Sequence, residues 1–298
     1  MEFIKKTDSK GNTIIFKRYQ GRPFHKEIPG NVGDQLEKVA SLPCCSDDVL
    51  ICTFPKSGTH WVFNIVNMIQ TGSLRYKANP VMIEFQDLEI LDEMKSPKIL
   101  TTHLTYPFIP KAAKEGQMKL IYVLRNPKDV VCSYFTYMSQ IQCTSYIGNF
   151  GGFFEAFLTH EFISCGGSWF THTREWSTAL CENKDLKILY LTYEDLKENL
   201  KQNINKIAKF LEVEREESFL VNVEHTVAFG NLKNIHATSA GENELLKHYG
   251  DNGRLPLYNK GIVGGWKNVF TVAQNEKFDA IYKENMSGMG NNIILTFE

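Results

Sequence analysis

Short apolar runs and longer segments with helical periodicity alternate along the chain. Four runs are apolar at almost every position, and they predict strands at residues 48–54, 98–103, 119–125 and 187–193. A half-exposed strand would alternate apolar and polar positions, so a continuous run is typical of a strand that is covered on both faces. The pattern therefore predicts a sheet buried between two layers.

Helical patterns follow three of these strands, and they predict helices over residues 60–70, 128–140 and 194–211. In the last segment Ile204, Ile207 and Leu211 fall on one face at helical spacing. Strands that alternate with helices favour a parallel sheet wrapped by helices. The predicted fold class is therefore α/β, with a central parallel β-sheet flanked by helices.

We expect one domain over residues 1–298, because 298 residues with 43% hydrophobic content are enough to bury a single large core. The polar segment 233–256 shows no steady apolar period. Long segments of this kind often close over a binding site, so we predict that it is a mobile lid.

Charge and composition exclude some partners. The chain has 33 lysines and arginines against 34 aspartates and glutamates, so it has no overall basic field that would favour nucleic acid or an anionic membrane. The opening "MEFIKKTDSKGN" has no apolar core of signal-peptide length, and no later segment approaches the roughly 18 apolar residues of a membrane span. We therefore expect a cytoplasmic protein.

The cysteines agree with that location. There are seven, and none forms a C-x-x-C pair. An odd number without paired spacing suits a reducing compartment better than a disulfide framework. We expect most of them to be buried small apolar residues, and we expect no metal site.

A candidate anion-binding loop, "CTFPKSGTHW", follows the first predicted strand. Gly58 lets the backbone approach a ligand, Ser57 and successive amides donate hydrogen bonds, and Lys56 supplies a charge. This chemistry suits a phosphate or sulfate. The loop is not a Walker A sequence, in which the lysine follows the second glycine, and this disfavours a nucleotide kinase. The alternative for the loop is an ordinary strand-to-helix turn.

A second candidate loop, "LRNPKDVVCSYF", follows the third predicted strand. Arg125 ends that strand, Pro127 falls near the first helical turn, and Ser133 follows two turns after Asn126. The arginine fork and the hydroxyl suit a second anionic group, and the alternative is an arginine that pairs with a carboxylate at the sheet edge. Two such loops indicate a ligand with phosphates at both ends.

Four stretches together resemble the cytosolic sulfotransferases: "TFPKSGTHW", "RNPKDVVCSYF", "YLTYEDLKENL" and "NKGIVGGWKNVFTVAQNE". The resemblance implies a P-loop-like nucleotide-binding fold. It also implies an enzyme that transfers a sulfuryl group from 3′-phosphoadenosine 5′-phosphosulfate to a hydroxyl or amine of a small molecule. No metal is required for this reaction.

The same resemblance assigns the residues that would hold the donor. The 5′-phosphosulfate would be bound by Lys56, Ser57, Gly58, Thr59 and His60. The adenine would contact Trp61, Tyr193, Phe229 and Leu232. The 3′-phosphate would be bound by Arg125 and Ser133 together with the late loop of Asn259, Lys260 and Gly261.

The predicted catalytic residues are His103, Lys56 and Ser133. His103 ends the second predicted strand and matches the histidine of the family's K-T-H-L-P stretch. A neutral imidazole can remove the proton of the acceptor group, and Lys56 would stabilise charge that grows on the leaving phosphate. The alternative for His103 is a structural histidine.

Some positions depart from the family pattern. The expected arginine of R-K-G-x-x-G-D-W-K is Asn259 and its aspartate is Gly265, while the usual Thr-Ser pair before Phe229 is Val227-Ala228. We also assign Thr102 to the position of the family's lysine before His103. The departures support a second hypothesis, a catalytically weak or inactive protein that binds a nucleotide or an apolar ligand, whereas the retained His103 opposes it.

Residues 1–45 are assigned to the acceptor side, together with aromatic and apolar residues that suit a ring-shaped molecule. These candidates are Met82, Phe85, Tyr106, Phe108, Tyr137 and Tyr146, with Phe153 as a further one. The alternative for each is an ordinary core position. Glu84 and Glu155 are candidates to recognise an amine or, alternatively, solvated side chains.

The stretch "KNVFTVAQNE" matches the K-x-x-x-T-V-x-x-x-E element through which family members pair. The resemblance therefore implies a homodimer through Lys267, Thr271, Val272 and Glu276, in which the short contact makes a small interface. The alternative is a plain helix start that is capped by Thr271.

Overall fold

The computed structural model describes residues 2–8, 11–141, 146–159, 165–239, 257–258 and 260–289. An antiparallel sheet comes first in the chain, and its strands β1 (Glu2–Thr7), β2 (Thr13–Tyr19) and β3 (Arg22–His25) lie side by side in that order. Phe16 of β2 is paired with His25 and Phe24 of β3 with Lys17, so the two phenylalanines lie on opposite faces of this sheet, and both are buried. The sequence analysis did not predict this sheet.

The central sheet has five parallel strands in the order β5-β6-β4-β7-β8. Its strands are β4 (Val49–Thr53), β5 (Val81–Met82), β6 (Ile99–Thr102), β7 (Lys119–Leu124) and β8 (Ile188–Thr192). The register is parallel throughout, with Leu50 opposite Leu100 on one side and Leu120 on the other. All four predicted strands are confirmed, and β5 adds a short edge.

The strand order creates a crevice. The chain leaves the central strand β4 towards β5 and β6 on one side, whereas it leaves β7 towards β8 on the other side. Connections that part in this way leave an opening beyond the carboxyl ends of the two strands, where ligands of open α/β sheets bind. Both candidate anion loops begin there.

Helices cover the sheet. They are α1 (Val32–Ala40), α2 (Thr59–Thr71), α3 (Leu88–Glu93), α4 (Lys111–Lys114), α5 (Pro127–Gln140), α6 (Phe150–Leu158), α7 (Trp169–Glu182), α8 (Tyr193–Glu198), α9 (Leu200–Leu211), α10 (Glu217–Val227), α11 (Phe229–Ser239) and α12 (Val272–Met286). Short 3₁₀ turns span Tyr106–Phe108 and Gly265–Asn268. The α/β class is confirmed.

The third predicted helix is two helices. α8 ends at Asn199, whose φ of −125° and ψ of 47° are not helical, and α9 begins at the next residue. The Asn203 amide side chain donates to the carbonyl oxygens of Asp195 and Asn199 at 3.0 and 3.1 Å, and thereby pairs carbonyl groups next to the break. The predicted face is confirmed, because Ile204, Ile207 and Leu211 are buried.

Alternate residues of the four longer central strands enter two different hydrophobic clusters. On β4, Leu50 and Cys52 face a cluster built with α5, α6, α7 and the amino-terminal sheet. Val49 and Ile51 face the opposite cluster, which is built with α2, α9 and α10. Burial on both faces explains why the strands are apolar at almost every position.

The structure also bears on the predicted lid, on the cysteines and on membrane-spanning helices. The predicted lid 233–256 begins within α11, and its residues 240–256 lie outside the described part of the chain. The six described cysteines, which exclude Cys143, form no disulfide, and only Cys52 and Cys165 of them are buried, so the expectation that most cysteines are buried is wrong. Among the described residues, no helix is both long and apolar enough to cross a bilayer.

Candidate active site

The loop after β4 has the backbone of a ligand-binding turn. Lys56 and Gly58 both have left-handed conformations, with φ of 69° and 104°. A Cβ atom at Gly58 would lie 3.1 Å from the Tyr193 ring, so a larger residue does not fit there without movement. Gly58 precedes α2, which spans 13 residues, and the unpaired N–H groups of the first turn of a helix suit an anion.

The side chains of this loop leave polar atoms unpaired. Ser57 is completely buried and its Oγ has no hydrogen-bond partner among the described residues. The Lys56 ammonium lies 4.2 Å from the centroid of the Tyr137 ring. Burial lowers the pKa of Lys56 to about 7, and the charge of Arg125 adds to this effect. A negatively charged ligand close to Lys56 would favour its charged form and so raise its pKa again.

The loop after β7 contributes a second cation. The Arg125 Nη1 donates to the Lys56 carbonyl oxygen at 2.8 Å, and its guanidinium lies 4.1 Å from the centroid of the Tyr193 ring. Arg125 is 8% exposed, and its Nε is without a hydrogen-bond partner in the part of the chain that is described. No described carboxylate forms an ion pair with it, so the structure does not support the edge-pairing alternative.

The start of α5 also fastens the late loop. Both carboxylate oxygens of Asp129 accept backbone hydrogen bonds, from Gly264 at 2.7 Å and from Trp266 at 2.9 Å. The buried Lys128 donates to Asn275 at 2.6 Å and thereby connects α5 to α12. Sequence analysis missed Lys128 and Asp129, although both lie inside the quoted "RNPKDVVCSYF".

The predicted adenine contacts form a compact aromatic group. The rings of Trp61 and Tyr193 are 5.5 Å apart, and the Trp61 indole donates to the Val227 carbonyl oxygen. A Cβ atom at Gly261 would lie 2.4 Å from the Phe229 ring, so the late loop passes directly over that ring. Leu232 is completely buried and lies outside the cavity lining.

His103 lies directly after β6, at the same edge of the sheet. Its Nδ1 is 2.8 Å from the Thr53 carbonyl oxygen and 3.1 Å from the Thr53 hydroxyl. A carbonyl oxygen only accepts, so Nδ1 carries the proton and Nε2 keeps a lone pair. Burial lowers the pKa of His103 to about 4, and the imidazole is therefore neutral at pH 7. This tautomer is the one that a base at Nε2 needs.

A buried carboxyl group supports His103. Glu84 is completely buried, and it accepts hydrogen bonds from the His103 backbone N–H at 2.7 Å and from the Thr102 hydroxyl at 2.9 Å. Burial raises its pKa to about 7. The solvated alternative is wrong for Glu84, whereas Glu155 pairs with Lys277 at the surface.

The position that corresponds to the lysine of the K-T-H-L-P stretch is one residue earlier than the sequence analysis assigned, so the assignment of Thr102 is wrong. Counted back from His103, that lysine aligns with Thr101 and the family's threonine aligns with Thr102. Thr101 is buried, and its hydroxyl donates to the Val81 carbonyl oxygen at 3.0 Å. The described part of the chain thus has an uncharged side chain where the family pattern has an ammonium group.

A cavity of about 650 Å³ connects these parts. It is lined by many of the predicted residues: Lys56, Gly58, Thr59, His60, Trp61, Met82, Phe85, His103, Arg125, Ser133, Tyr137, Tyr193, Phe229, Lys260 and Gly261. Asn259 lies outside the described residues. The polar lining residues that sequence analysis missed include His25, Glu27, Asn79 and Gln86.

Three predicted acceptor residues lie away from this lining. Tyr106 packs edge-on against Trp176, and Phe108 packs edge-on against Phe24. The Tyr146 hydroxyl donates to Asp8 at 2.9 Å. Their aromatic character alone does not distinguish a wall of the cavity from the core behind it, and their role in acceptor binding stays a prediction. Phe153 is completely buried as well.

Among the described residues, no three His, Cys, Asp or Glu side chains are grouped so that they would hold a metal ion.

Comparison with known proteins places the chain in a family. The family model for the sulfotransferase domain matches residues 46–290. Sulfotransferase 1B1 of Canis lupus familiaris is 35% identical over 286 residues, which cover 91% of this chain and 93% of the relative. Sulfotransferase 1C2 of Homo sapiens is 32% identical over 303 residues, which cover 97% of this chain and 98% of the relative.

Solved structures agree. The mouse sulfotransferase SULT7A1, crystallised with PAP, has a TM-score of 0.74 at 27% identity and covers 92% of this chain and 94% of its own. Retinol dehydratase in complex with retinol and PAP has a TM-score of 0.77 at 18% identity, covers 100% and 98%, and shows the shared fold. This chain is a sulfotransferase with a single α/β domain, and it belongs to the family that its loops resemble.

Proposed function

We propose that the chain is a cytoplasmic enzyme that transfers a sulfuryl group from 3′-phosphoadenosine 5′-phosphosulfate to a hydroxyl or amine of a small aromatic or apolar acceptor. One observation carries the proposal: a neutral His103 lines the same cavity as Lys56 and Arg125. A base therefore lies within reach of a ligand that the two cationic loops bind. The PAP complex of the mouse relative supports the choice of donor.

The residues fit this donor. Ser57 Oγ, His60 Nδ1 and Arg125 Nε are buried polar atoms without partners among the described residues. Buried polar groups are normally hydrogen-bonded, so unpaired polar atoms in two adjacent loops indicate a ligand that completes them. The absence of a side chain at Gly58 and Gly261 lets the backbone of both loops contact the ligand. A side chain at either position would meet an aromatic ring.

The donor would be held along the cavity in three parts. Lys56, Ser57, Gly58, Thr59 and His60 would bind the 5′-phosphosulfate, Trp61, Tyr193 and Phe229 the adenine, and Arg125, Ser133, Asn259, Lys260 and Gly261 the 3′-phosphate. Leu232 would support the adenine contacts from behind the lining.

When bound, the donor supplies an electrophilic sulfur and a phosphate leaving group. His103 removes the proton of the acceptor group at Nε2, while its Nδ1–H remains on the Thr53 carbonyl oxygen. Lys56 stabilises the negative charge that develops on the leaving phosphate. Electrostatic stabilisation of this kind is usually the largest single contribution to catalysis. Ser133, the third predicted catalytic residue, adds a hydroxyl donor at the 3′-phosphate.

A direct test is transfer of labelled sulfuryl groups to a panel of phenols, alcohols and amines. Transfer to at least one acceptor class is expected. Binding of the desulfated nucleotide without any transfer would contradict the proposal and favour the second candidate, a nucleotide-binding protein without activity. That candidate is supported by the uncharged Thr101 and by Val227-Ala228, and is opposed by the geometry of His103.

We further propose that the chain forms a homodimer through Lys267, Thr271, Val272 and Glu276. Val272 is 76% exposed, which leaves an apolar side chain available to a second copy. Thr271 also forms a capping box with Gln274, so the plain-helix alternative accounts for one of the four residues. Sedimentation at high concentration tests this, and a monomer there would contradict it.

A further inference from the structure

A histidine that the sequence analysis did not single out faces the acceptor end of the cavity. His25 lies on β3, opposite Phe16 of β2. Successive side chains of a strand point to opposite faces, and Phe24 is completely buried in the core. His25 therefore lies on the opposite face of the strand from Phe24, and it lines the cavity together with Met82, Phe85 and His103.

The position of the His25 ring is fixed from two sides. Its Nδ1 is 3.2 Å from the backbone nitrogen of Glu27, which donates to it. The ring also meets the Phe85 ring edge-on, at 5.5 Å between centroids and an interplanar angle of 90°. A side chain held in this way can contact a ligand at little cost in conformational entropy.

These contacts also set the tautomer. A ring nitrogen that accepts a hydrogen bond carries no proton, so the proton of the neutral ring is on Nε2. Burial lowers the pKa of His25 to about 4, against the opposing effect of the Glu27 carboxylate. No described residue forms a hydrogen bond with Nε2. The cavity wall thus presents one oriented N–H donor between apolar side chains.

We propose that His25 is a specificity-determining residue, whose Nε2–H donates a hydrogen bond to a neutral oxygen of the acceptor molecule. The inference rests on the proposed function, and it narrows the acceptor to an apolar or aromatic molecule with an uncharged carbonyl, ether or hydroxyl oxygen besides the reacting group. Met82 and Phe85 line the same cavity and provide apolar contacts, and the nearby Glu27 carboxylate disfavours an anionic substituent.

Pairs of neutral phenols test this inference, each pair differing only by a ketone in one member and a methylene in the other, with the substituent ortho, meta or para. The ratio of kcat/KM within each pair is measured for the wild type, His25→Leu and His25→Gln. The effect of the ketone on the phenol itself is the same for all three proteins, so it cancels in the comparison.

In at least one pair, His25→Leu should lower the preference for the ketone about two- to tenfold, as expected for one neutral hydrogen bond. His25→Gln should retain part of the preference, because its amide N–H also donates. The same preference in all three proteins, with thermal unfolding unchanged, would overturn the proposal.

The two proposals fail in different ways. If the wild type sulfates no phenol, the proposed function is contradicted for this acceptor class, and the same pairs are then compared by equilibrium binding to the protein saturated with PAP. The His25 inference stands if the binding preference falls in His25→Leu and fails if it does not.

Discussion

The two ends of the cavity differ in how the chain builds them. At the donor end, two short loops directly follow β4 and β7, and each carries its cation, its glycine or its helix start within a few residues. At the acceptor end, the side chains come from β3, β5 and α5, which are far apart in sequence. The donor end is therefore a property of local sequence, whereas the acceptor end is a property of the tertiary fold.

This difference has a physical basis. An anion is recognised by backbone N–H groups and helix starts, which require particular residues at fixed spacing. An apolar molecule is recognised by shape and by a few polar groups, which any neighbouring element can supply. Substitutions at the donor end should therefore affect the reaction with every acceptor to the same extent. Substitutions at the acceptor end should instead change which acceptors are used.

The largest effect is expected at Lys56. Lys56→Met removes the half-buried cation from the donor end, so kcat should fall about 10²- to 10³-fold for all acceptors, as when one donor to a developing anion is lost. Steady-state kinetics with several acceptors measure this, and Lys38→Met on the exposed side of α1 is the matched control. A loss confined to one acceptor would contradict the assignment of Lys56 to the donor end.

Glu84 provides the next largest effect, on stability. Its pKa is raised to about 7 in the folded protein by burial. The folded state therefore holds a proton that the unfolded state releases at lower pH, and the free energy of unfolding should fall by about 3 kcal/mol as the pH rises from 4 to 8.

Urea unfolding at several pH values measures that fall, and Glu84→Gln, which does not titrate, is the comparison. The fall should be smaller in the variant by about the amount assigned to Glu84. Equal pH dependence of the two proteins would show that the carboxyl group has an ordinary pKa.

At Arg125 the effect should be on donor affinity alone. Arg125→Lys keeps a charge but loses the fork of donors, and a charged hydrogen bond of about 1.5–3 kcal/mol corresponds to a tenfold or greater loss in PAP affinity. Calorimetric titration measures the affinity, with Arg18→Lys at the surface as control. Unchanged PAP binding would remove Arg125 from the donor end.

The smallest effect is expected at Tyr137, where the two ends meet. Its ring faces the Lys56 ammonium at 4.2 Å, and a cation–π contact of about 0.5–1.5 kcal/mol stabilises the charged lysine. Tyr137→Leu should lower kcat/KM at pH 7 about two- to tenfold, because less Lys56 is protonated there, whereas Tyr137→Phe keeps the ring. Equal losses in both variants would assign the effect to the hydroxyl group.

The same contrast governs what sequence could predict. Strands β4, β6, β7 and β8 are continuous apolar runs and were predicted, whereas β5 has two residues, too few to give a pattern. The break at Asn199 was missed because the apolar face continues across it. The break lies in the non-helical backbone of Asn199, which the apolar pattern does not report.

At the site, the donor loops were predicted from their own residues. Tyr106, Phe108 and Tyr146 were chosen for aromatic character, and the fold places them outside the cavity lining. His25 and Glu84 gain their roles from contacts with Phe85, Glu27 and the backbone of His103, and no local pattern reports such contacts.

The most direct test of the account measures PAP binding and sulfuryl transfer on the same preparations of the wild type and His103→Ala, with His225→Ala as control. We expect PAP affinity to stay within about threefold and transfer to fall about 10²- to 10⁴-fold in His103→Ala only, as for loss of a general base. Transfer that persists in His103→Ala at a rate close to that of the wild type would contradict the account, as would a wild type that does not bind PAP.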